Sequence, residues 1–220
     1  NRNDLFGIPG PYSGLLDAWG IEDNGLDNLG LDRRDYAHPS DRGRVLGRHR
    51  QELPNNFRFT SELGFISDMN FLEEWYKREW DQNKDYTTGL ELKQTLDNMS
   101  WSITADSRIN NFFTTTEWLP RLDHFWLGQP LLGDRLTWFE HSQAAYAHMR
   151  VATAPTEPQQ AALFTLLPWE GNVKGGRFAT RQELDLPFDA GPFKIVPYGL
   201  GELAHWGEVL DGDDLTRVYG

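Results

Sequence analysis

Residues 99–106 read Met-Ser-Trp-Ser-Ile-Thr-Ala-Asp, with apolar side chains at the odd positions and polar ones at the even positions. Successive side chains of a β-strand point to opposite faces, so this stretch predicts a strand with one apolar and one polar face. Two similar stretches precede it, at 57–65 and 90–97. Runs of about ten residues have the length with which a tilted strand crosses a bilayer. The alternation therefore raises the question of whether the apolar face contacts a protein core or lipid.

Alternating stretches recur along the chain and predict seven strands, at 57–66, 86–96, 99–109, 114–127, 135–151, 177–186 and 193–203. A tight hairpin is predicted at Asp97-Asn98. Pro120 has no N–H to donate, so it predicts an edge, a bend or a bulge in the fourth strand. Helix content is small and every connection is compatible with antiparallel pairing. The chain is therefore predicted to be all-β, an antiparallel meander.

The chain divides into two regions of different character. Residues 1–54 carry glycine and aspartate at short intervals without sustained periodicity, and they are predicted to form a long loop or irregular region. The antiparallel β segment is predicted over 55–220. A short amphipathic helix over 70–80, capped by Ser67-Asp68, is expected in one of its connections. Residues 154–172 contain three prolines and are predicted to form a loop.

Composition excludes several classes of protein. The 220-residue chain has a formal charge of −12 with scattered basic residues, which argues against nucleic-acid binding. It has no cysteine, which excludes disulfides, thiolate catalysis and cysteine-type zinc sites. No run approaches the roughly 18 apolar residues of a transmembrane helix. The chain does not begin with Met or a signal peptide, and we interpret it as an internal piece of a longer protein.

One cluster of basic residues stands out. Arginines occupy positions 42, 44, 48 and 50. Acidic residues surround them in the sequence, namely Asp32, Asp35, Asp41 and Glu52. The stretch therefore predicts a local ion-pair network instead of a nucleic-acid footprint.

Aromatic and titratable residues are the chain's candidates for functional sites. Nine Trp and thirteen Phe suit core packing, sugar-stacking platforms or the aromatic girdles of membrane proteins. Seven aromatic residues near strand ends or connections are candidate girdle residues: Trp75, Trp80, Tyr86, Trp101, Trp118, Trp126 and Trp138. Adjacent carboxylates such as Glu73 and Glu74 lack the separation that glycoside hydrolysis needs. The six His show no close metal spacing, since His141 and His148 fall on opposite faces of a strand. No catalytic, cofactor-binding or metal-binding residue is predicted, and the chain is not expected to be an enzyme.

Several short phrases occur in a fixed order along the chain. The first spans Glu62 to Tyr76 and contains Ser-Asp-Met-Asn-Phe-Leu at 67–72; Leu92 to Asn98 follows, then Thr-Glu-Trp-Leu-Pro-Arg at 116–121, then Gly176-Arg177 with Pro187, and Pro197. Taken in order, these phrases resemble the barrel portion of the lipopolysaccharide-assembly outer-membrane protein family, LptD, also called organic solvent tolerance protein. The resemblance covers roughly 53–208.

The resemblance implies a very large antiparallel β-barrel in the cell outer membrane, of which this chain is a segment and, by itself, an open curved sheet. Such a barrel takes lipopolysaccharide from a periplasmic bridge, holds a plug lipoprotein in its lumen, and releases the lipid sideways through a seam. The implied partners are lipopolysaccharide, the plug lipoprotein, the periplasmic lipopolysaccharide-transport bridge proteins and membrane lipid, with no nucleic acid. The phrases do not identify seam strands or plug contacts, so no functional residue is carried over.

Two other interpretations fit the alternation. Another outer-membrane porin or receptor barrel would share it without needing the helix-bearing connection at 67–80. A soluble β-sandwich, acting as a carbohydrate-binding or glycoside-hydrolase domain, would instead bury the apolar faces against a second sheet. The direction in which the apolar faces of 57–66, 86–96 and 99–109 point distinguishes the membrane interpretations from the sandwich.

Overall fold

The computed structural model describes residues 2–5, 7–30, 34–82 and 86–220. The described chain is mostly β-strand. The strands are β1 Arg2–Leu5, β2 Ile8–Glu22, β3 Asp27–Leu29, β4 Arg34–Tyr36, β5 Asp41–Leu53, β6 Phe57–Ile66, β7 Gly89–Leu96, β8 Met99–Asp106, β9 Thr115–Leu131, β10 Leu136–Arg150, β11 Lys174–Asp185, β12 Phe188–Ala190, β13 Phe193–Ile195, β14 Tyr198–Trp206 and β15 Leu215–Tyr219. The helices are α1 Phe71–Trp75, α2 Lys77–Asp81 and α3 Pro158–Leu163.

Eleven strands form one antiparallel sheet in the order β1-β2-β5-β6-β7-β8-β9-β10-β11-β14-β15. Strands that follow each other in the chain are neighbours in the sheet, except where two hairpins intervene. These hairpins, β3–β4 and β12–β13, form separate two-stranded sheets. The prediction of an all-β, antiparallel meander is confirmed. The sheet is open, with β1 and β15 at its edges.

Several local predictions are confirmed. Strand β6 has the predicted bounds. Leu96 pairs with Met99 across the predicted hairpin, and Asp97 adopts a φ of 44°, as a tight turn of this kind requires. The register of β9 shifts against both neighbours close to Pro120, between Thr104 and Asp106 of β8 and between Ala145 and Ala147 of β10. Pro120 therefore lies at a bulge, in a central strand.

The helical prediction over 70–80 is confirmed in part. Two five-residue helices, α1 and α2, replace one continuous helix, because Tyr76 between them has φ −132° and ψ 46°. The N-cap residue of α1 is Asn70 and makes no side-chain cap hydrogen bond, so the predicted cap by Ser67-Asp68 is wrong; Asp68 instead accepts a hydrogen bond from the backbone N–H of Asn70 at 3.0 Å. The proline-rich stretch 154–172 contains α3.

The prediction of a long loop over 1–54 is wrong, because β2 and β5 each extend over more than ten residues there. The glycines that suggested a loop instead allow the backbones of these two strands to approach each other closely. Gly20 pairs with Gly43, and a Cβ on Gly43 would collide with the carbonyl oxygen of Trp19. A Cβ on Gly14 would lie 3.0 Å from the carbonyl oxygen of Arg48. A glycine in the sequence can therefore indicate a close approach of two strand backbones as readily as it indicates a turn.

The last predicted strand is also corrected. Residues 193–203 divide into β13 and the start of β14, with Pro197 between them. The carbonyl of Pro197 accepts a hydrogen bond from the N–H of Leu186 at 2.9 Å, which joins the end of β11 to the start of β14. The β12–β13 hairpin projects from this junction.

The two ends of the sheet differ in the length of their connections. At one end, termed the turn end, adjacent strands are joined by short turns at 54–56, 97–98 and 132–135 and by the longer connection 186–197, which carries the β12–β13 hairpin. At the other, termed the loop end, the connections are longer and comprise 23–40, 67–88, 107–114, 151–173 and 207–214. A small core lies at the loop end, where Ile66, Phe71 and Leu72 are buried against Trp19 and Tyr76, among other aromatic residues.

Candidate lipid-facing surface and polar face

The two faces of strand β8 have the opposite exposure to that of a soluble sheet. Ser100, Ser102 and Thr104 are less than a tenth exposed, whereas Ile103 on the other face is 44% exposed. In a soluble antiparallel sheet the apolar face is buried and the polar face meets water. In β8 this arrangement is inverted, because the polar side is buried and the apolar side is exposed.

The apolar surface continues across the sheet. Residues opposite each other on paired strands share a face, so Leu92, Ile103 and Leu122 form one row. We term this side the apolar face. Its exposed large residues include Leu16, Leu63, Phe65, Leu90, Ile103, Leu122, Phe178, Leu184, Leu203 and Val218. A continuous exposed apolar patch of this kind marks contact with lipid or with another protein.

The opposite side, termed the polar face, carries ion pairs. Glu52 accepts hydrogen bonds from Arg50 and Arg58, at 2.7 and 3.0 Å. Arg121 donates to Asp123 at 2.9 Å. Each pair joins residues on neighbouring strands or residues two positions apart on one strand. The pairs neutralise charged side chains on a face that the loop-end segments partly cover.

Arginine and tryptophan alternate in a row on the polar face. The guanidinium carbons of Arg121 and Arg177 lie 5.5 and 5.8 Å from the ring centre of Trp118, and those of Arg177 and Arg217 lie 5.4 and 5.8 Å from the ring centre of Trp206. These are cation–π distances. The row, termed the Arg–Trp row, borders a cavity of about 220 Å³ that is also lined by Lys174.

The apolar face has a polar interruption. His124 Nδ1 lies 2.6 Å from Glu140 Oε2, and the ring centre of Trp126 lies 5.1 Å from that of His124. Next to them, the indole N–H of Trp138 donates to Gln182 at 2.8 Å. We term this group the polar notch. It places a 92% buried carboxylate on the apolar face, next to the hydrogen-bonded hydroxyls of Ser142 and Thr180.

The structure brings three of the seven candidate girdle residues together. Trp101, Trp126 and Trp138 lie on the apolar face near the turn end, where Trp126 and Trp138 are in ring contact at 4.6 Å. Trp118 belongs to the polar face. The remaining three lie in the loop-end connections: Trp75, Trp80 and Tyr86. Proximity to a strand end in the sequence does not report which face a side chain takes.

The predicted ion-pair network around the arginines is confirmed, with other partners than those expected. Arg42 is bound by Asp23, Asp27 and Asp68. Arg44 pairs with Asp17 and Glu79. Glu52 is the one expected partner found in an ion pair among the described residues, and Asp32 lies outside them. Asp17 lies on the neighbouring strand β2, whereas the other acidic partners of Arg42 and Arg44 come from connections that fold back onto β5, which sequence proximity does not reveal.

Two groups in the loop-end connections have shifted pKa values. Burial and a hydrogen bond to the Glu79 carboxylate raise the pKa of Tyr86 to about 12. The N–H of Gly25, together with Arg42, lowers the pKa of Asp23 by hydrogen bonding to its carboxylate. The Asp23 connection is held to β5 by Arg42, and the Tyr86–Glu79 pair is held to β5 by Arg44, which donates to the Glu79 carboxylate at 3.1 Å.

No family model matches the chain, and no curated protein matches its sequence. Within the described ranges, none of the helices combines the length and the apolar character needed to cross a membrane.

Proposed function

We propose that this chain is a segment of an outer-membrane β-barrel that assembles and translocates lipopolysaccharide to the outer leaflet. The observation that carries the proposal is the inverted exposure of the sheet, in which Ser102 is buried while Ile103 is exposed. A barrel wall in a bilayer needs this arrangement, since its outer side meets hydrocarbon and its lumen is polar.

Strand lengths and connections support the membrane assignment. A tilted strand crosses the hydrocarbon core with about 9–11 residues, and β5, β6, β10 and β11 have 13, 10, 15 and 12 residues. Outer-membrane barrels have short turns at one end and longer loops at the other. This sheet follows that pattern except at 186–197, where the β12–β13 hairpin lengthens a turn-end connection. Closure requires that β1 and β15 pair with each other or with further strands, because lipid leaves no partner for an open edge.

The lipopolysaccharide cargo is supported by two features. The helix-bearing connection at 67–82 belongs to the ordered phrases that resemble the lipopolysaccharide-assembly family. The Arg–Trp row presents guanidinium groups on the polar face, and guanidinium binds the phosphate and carboxylate groups that such a lipid carries. A plug lipoprotein in the lumen and a periplasmic bridge are the further partners of this proposal.

The alternatives differ in what they require of the same surface. Another porin or receptor barrel would use the same inverted faces, without the resemblance at 67–72. A soluble sandwich would cover the apolar face with a second large sheet. Among the described residues, the two further sheets have two strands each, and Leu90 and Ile103 remain about half exposed.

Lipid contact can be tested with single cysteines, because the chain has none of its own. Leu90→Cys and Ile103→Cys place a fluorophore on the apolar face, and Thr95→Cys places one at an exposed position of the polar face. In the full-length protein reconstituted with brominated lipid, the first two fluorophores should be quenched and the third should not. Equal quenching at all three positions, or recovery of the protein in the soluble fraction without heat-modifiable migration on a gel, would overturn the membrane assignment.

The cargo is tested separately. Depletion of the full-length protein should lower the lipopolysaccharide displayed on the cell surface, measured by its accessibility to antibody on intact cells. If surface lipopolysaccharide is unchanged while the fluorophores on the apolar face are quenched by lipid, the barrel assignment stands and lipopolysaccharide is rejected as its cargo.

A further inference from the structure

We propose that Asp23, Asp27 and His38 form a binding site for a divalent transition-metal ion of the zinc type at the loop end. One ligand atom from each residue lies within 4.8 Å of the others. The proposal rests on the described geometry of these side chains and is independent of the membrane assignment.

The orientation of the His38 ring points to a cation. His38 Nδ1 lies 2.8 Å from the carbonyl oxygen of Pro39, and because a carbonyl only accepts, Nδ1 is the nitrogen that carries the hydrogen. In the neutral ring Nε2 then has a free lone pair. The His38 side chain is 98% buried, and its Nε2 atom has no hydrogen-bond partner. A buried lone pair without a donor requires an explanation.

The surroundings of Nε2 supply that explanation. Nε2 faces two carboxylate oxygens, Asp27 Oδ1 at 3.5 Å and Asp23 Oδ2 at 3.6 Å. Arg42 Nη1 donates to both of these oxygens, and a divalent ion between them and a neutral Nε2 would bind the lone pair of the ring as well. With bonds of about 2.0–2.2 Å, the ligand atoms of a tetrahedral zinc site are about 3.3–3.6 Å apart. The two distances from Nε2 fit this spacing without rearrangement of the ring.

Charge balance is consistent with a divalent ion. Asp23, Asp27 and Asp68 contribute three negative charges and Arg42 contributes one positive charge, which leaves −2 (−3 + 1) before any charge on His38 is counted. A divalent ion would neutralise this group. Arg42 donates to the same carboxylates, at 3.0 Å to Asp23 and 2.7 Å to Asp27, and each carboxylate oxygen has a second lone pair for a metal.

The contacts around the site match those around metal sites in general. A metal-binding histidine usually donates its other N–H to a carbonyl or carboxylate, as His38 does to Pro39, and the ligating carboxylates are themselves hydrogen-bonded. The ion would connect both arms of the 23–40 connection. Through Arg42 and Asp68 this link extends to β5 and to the segment that precedes α1.

The test is zinc binding by the full-length protein in detergent, after removal of metals with a chelator and competition against a chromophoric zinc indicator. We expect one equivalent of Zn²⁺ to bind, and His38→Ala and Asp23→Asn each to weaken binding at least tenfold. His205→Ala is the matched control, since His205 bonds to Thr216 away from any carboxylate cluster, and it should bind zinc normally. Asp23 is the more exposed of the two carboxylates, so Asp23→Asn tests the site even where His38→Ala disturbs folding.

A second readout does not depend on affinity. Bound Zn²⁺ should slow proteolytic cleavage within residues 23–40 of the wild-type protein and leave the His38→Ala variant unchanged. The proposal is overturned if the wild-type protein binds no zinc, or if His38→Ala and Asp23→Asn both bind zinc as the wild type does. If His38 is instead protonated and paired with the two carboxylates, the wild-type protein will bind no zinc.

Discussion

His124 Nδ1 lies 2.6 Å from Glu140 Oε2, on the face of the sheet that also presents Ile103, Leu122 and Phe178. The carboxylate is almost fully buried, whereas the imidazole is about one-third exposed. Trp126 covers the imidazole, and Gln182 lies opposite Glu140 on the neighbouring strand. The polar notch thus contains its own hydrogen-bond partners, which is what a polar group on a lipid-facing surface requires.

His124→Ala should destabilise the protein more than Glu140→Gln does. Removal of the imidazole leaves a buried carboxylate without its partner, at a cost of about 1–3 kcal/mol, whereas the amide of glutamine is neutral and still able to hydrogen-bond. The free energy of unfolding in urea, followed by tryptophan fluorescence in detergent micelles, measures both. If His124→Ala matches the wild type, the contact contributes nothing to stability.

Ile103→Arg should destabilise the reconstituted protein by about 2–4 kcal/mol, because in the proposed barrel it would place a charge on the side that meets hydrocarbon. Thr95→Arg is the control, since Thr95 is exposed on the polar face beside Ser100. Unfolding in lipid vesicles gives both free energies. Similar losses for the two variants would be inconsistent with a lipid-facing Ile103.

Phe71→Ala should cost about 3–5 kcal/mol, because the ring is fully buried and packs 5.6 Å from the ring of Trp19. The loss should concentrate at the loop end and be visible as faster proteolysis within 67–82. Phe193→Ala, at a position 70% exposed, should change stability by less than about 0.5 kcal/mol. Equal sensitivity of the two sites would show that the loop-end core is not packed as described.

Tyr86 should titrate near pH 12, about two units above an ordinary tyrosine. Its raised pKa means that the folded state holds the phenol proton more tightly than the unfolded state. The resulting stability is present in full below pH 10 and is lost as the pH rises from about 10 to about 12. Ultraviolet absorbance of phenolate, compared between the wild type and Tyr86→Phe, isolates this group. A difference titration centred near pH 10 would refute the interaction with Glu79.

The fold was predictable where a strand alternates strictly. The alternation in residues 99–106 predicts a strand with two different faces, because the side-chain period of a strand is two. The same logic failed over residues 8–22 and 41–53, where glycine suggested turns. At Gly20 and Gly43 glycine permits two backbones to pair closely, and nothing in a single sequence separates that use from a turn.

The candidate sites were less predictable than the fold. His124 and Glu140 are sixteen residues apart, and they meet only through the register of β9 with β10. A register shift between Trp138 and Phe139 displaces one strand against the other just beside them. Asp23, Asp27 and His38 belong to a connection whose path is set by its contacts with Arg42. No spacing rule for strands or helices describes such a path.

The Arg–Trp row has a mechanical consequence. Its five side chains come from β9, β11, β14 and β15, and it crosses β10 where Ala145 and Ala147 leave room above the backbone. Each ring and guanidinium is in contact with the next, so bending the sheet across these strands would compress or separate the whole series at once. The row thus links four strands on the polar face, and we expect it to resist bending of the sheet between β9 and β15.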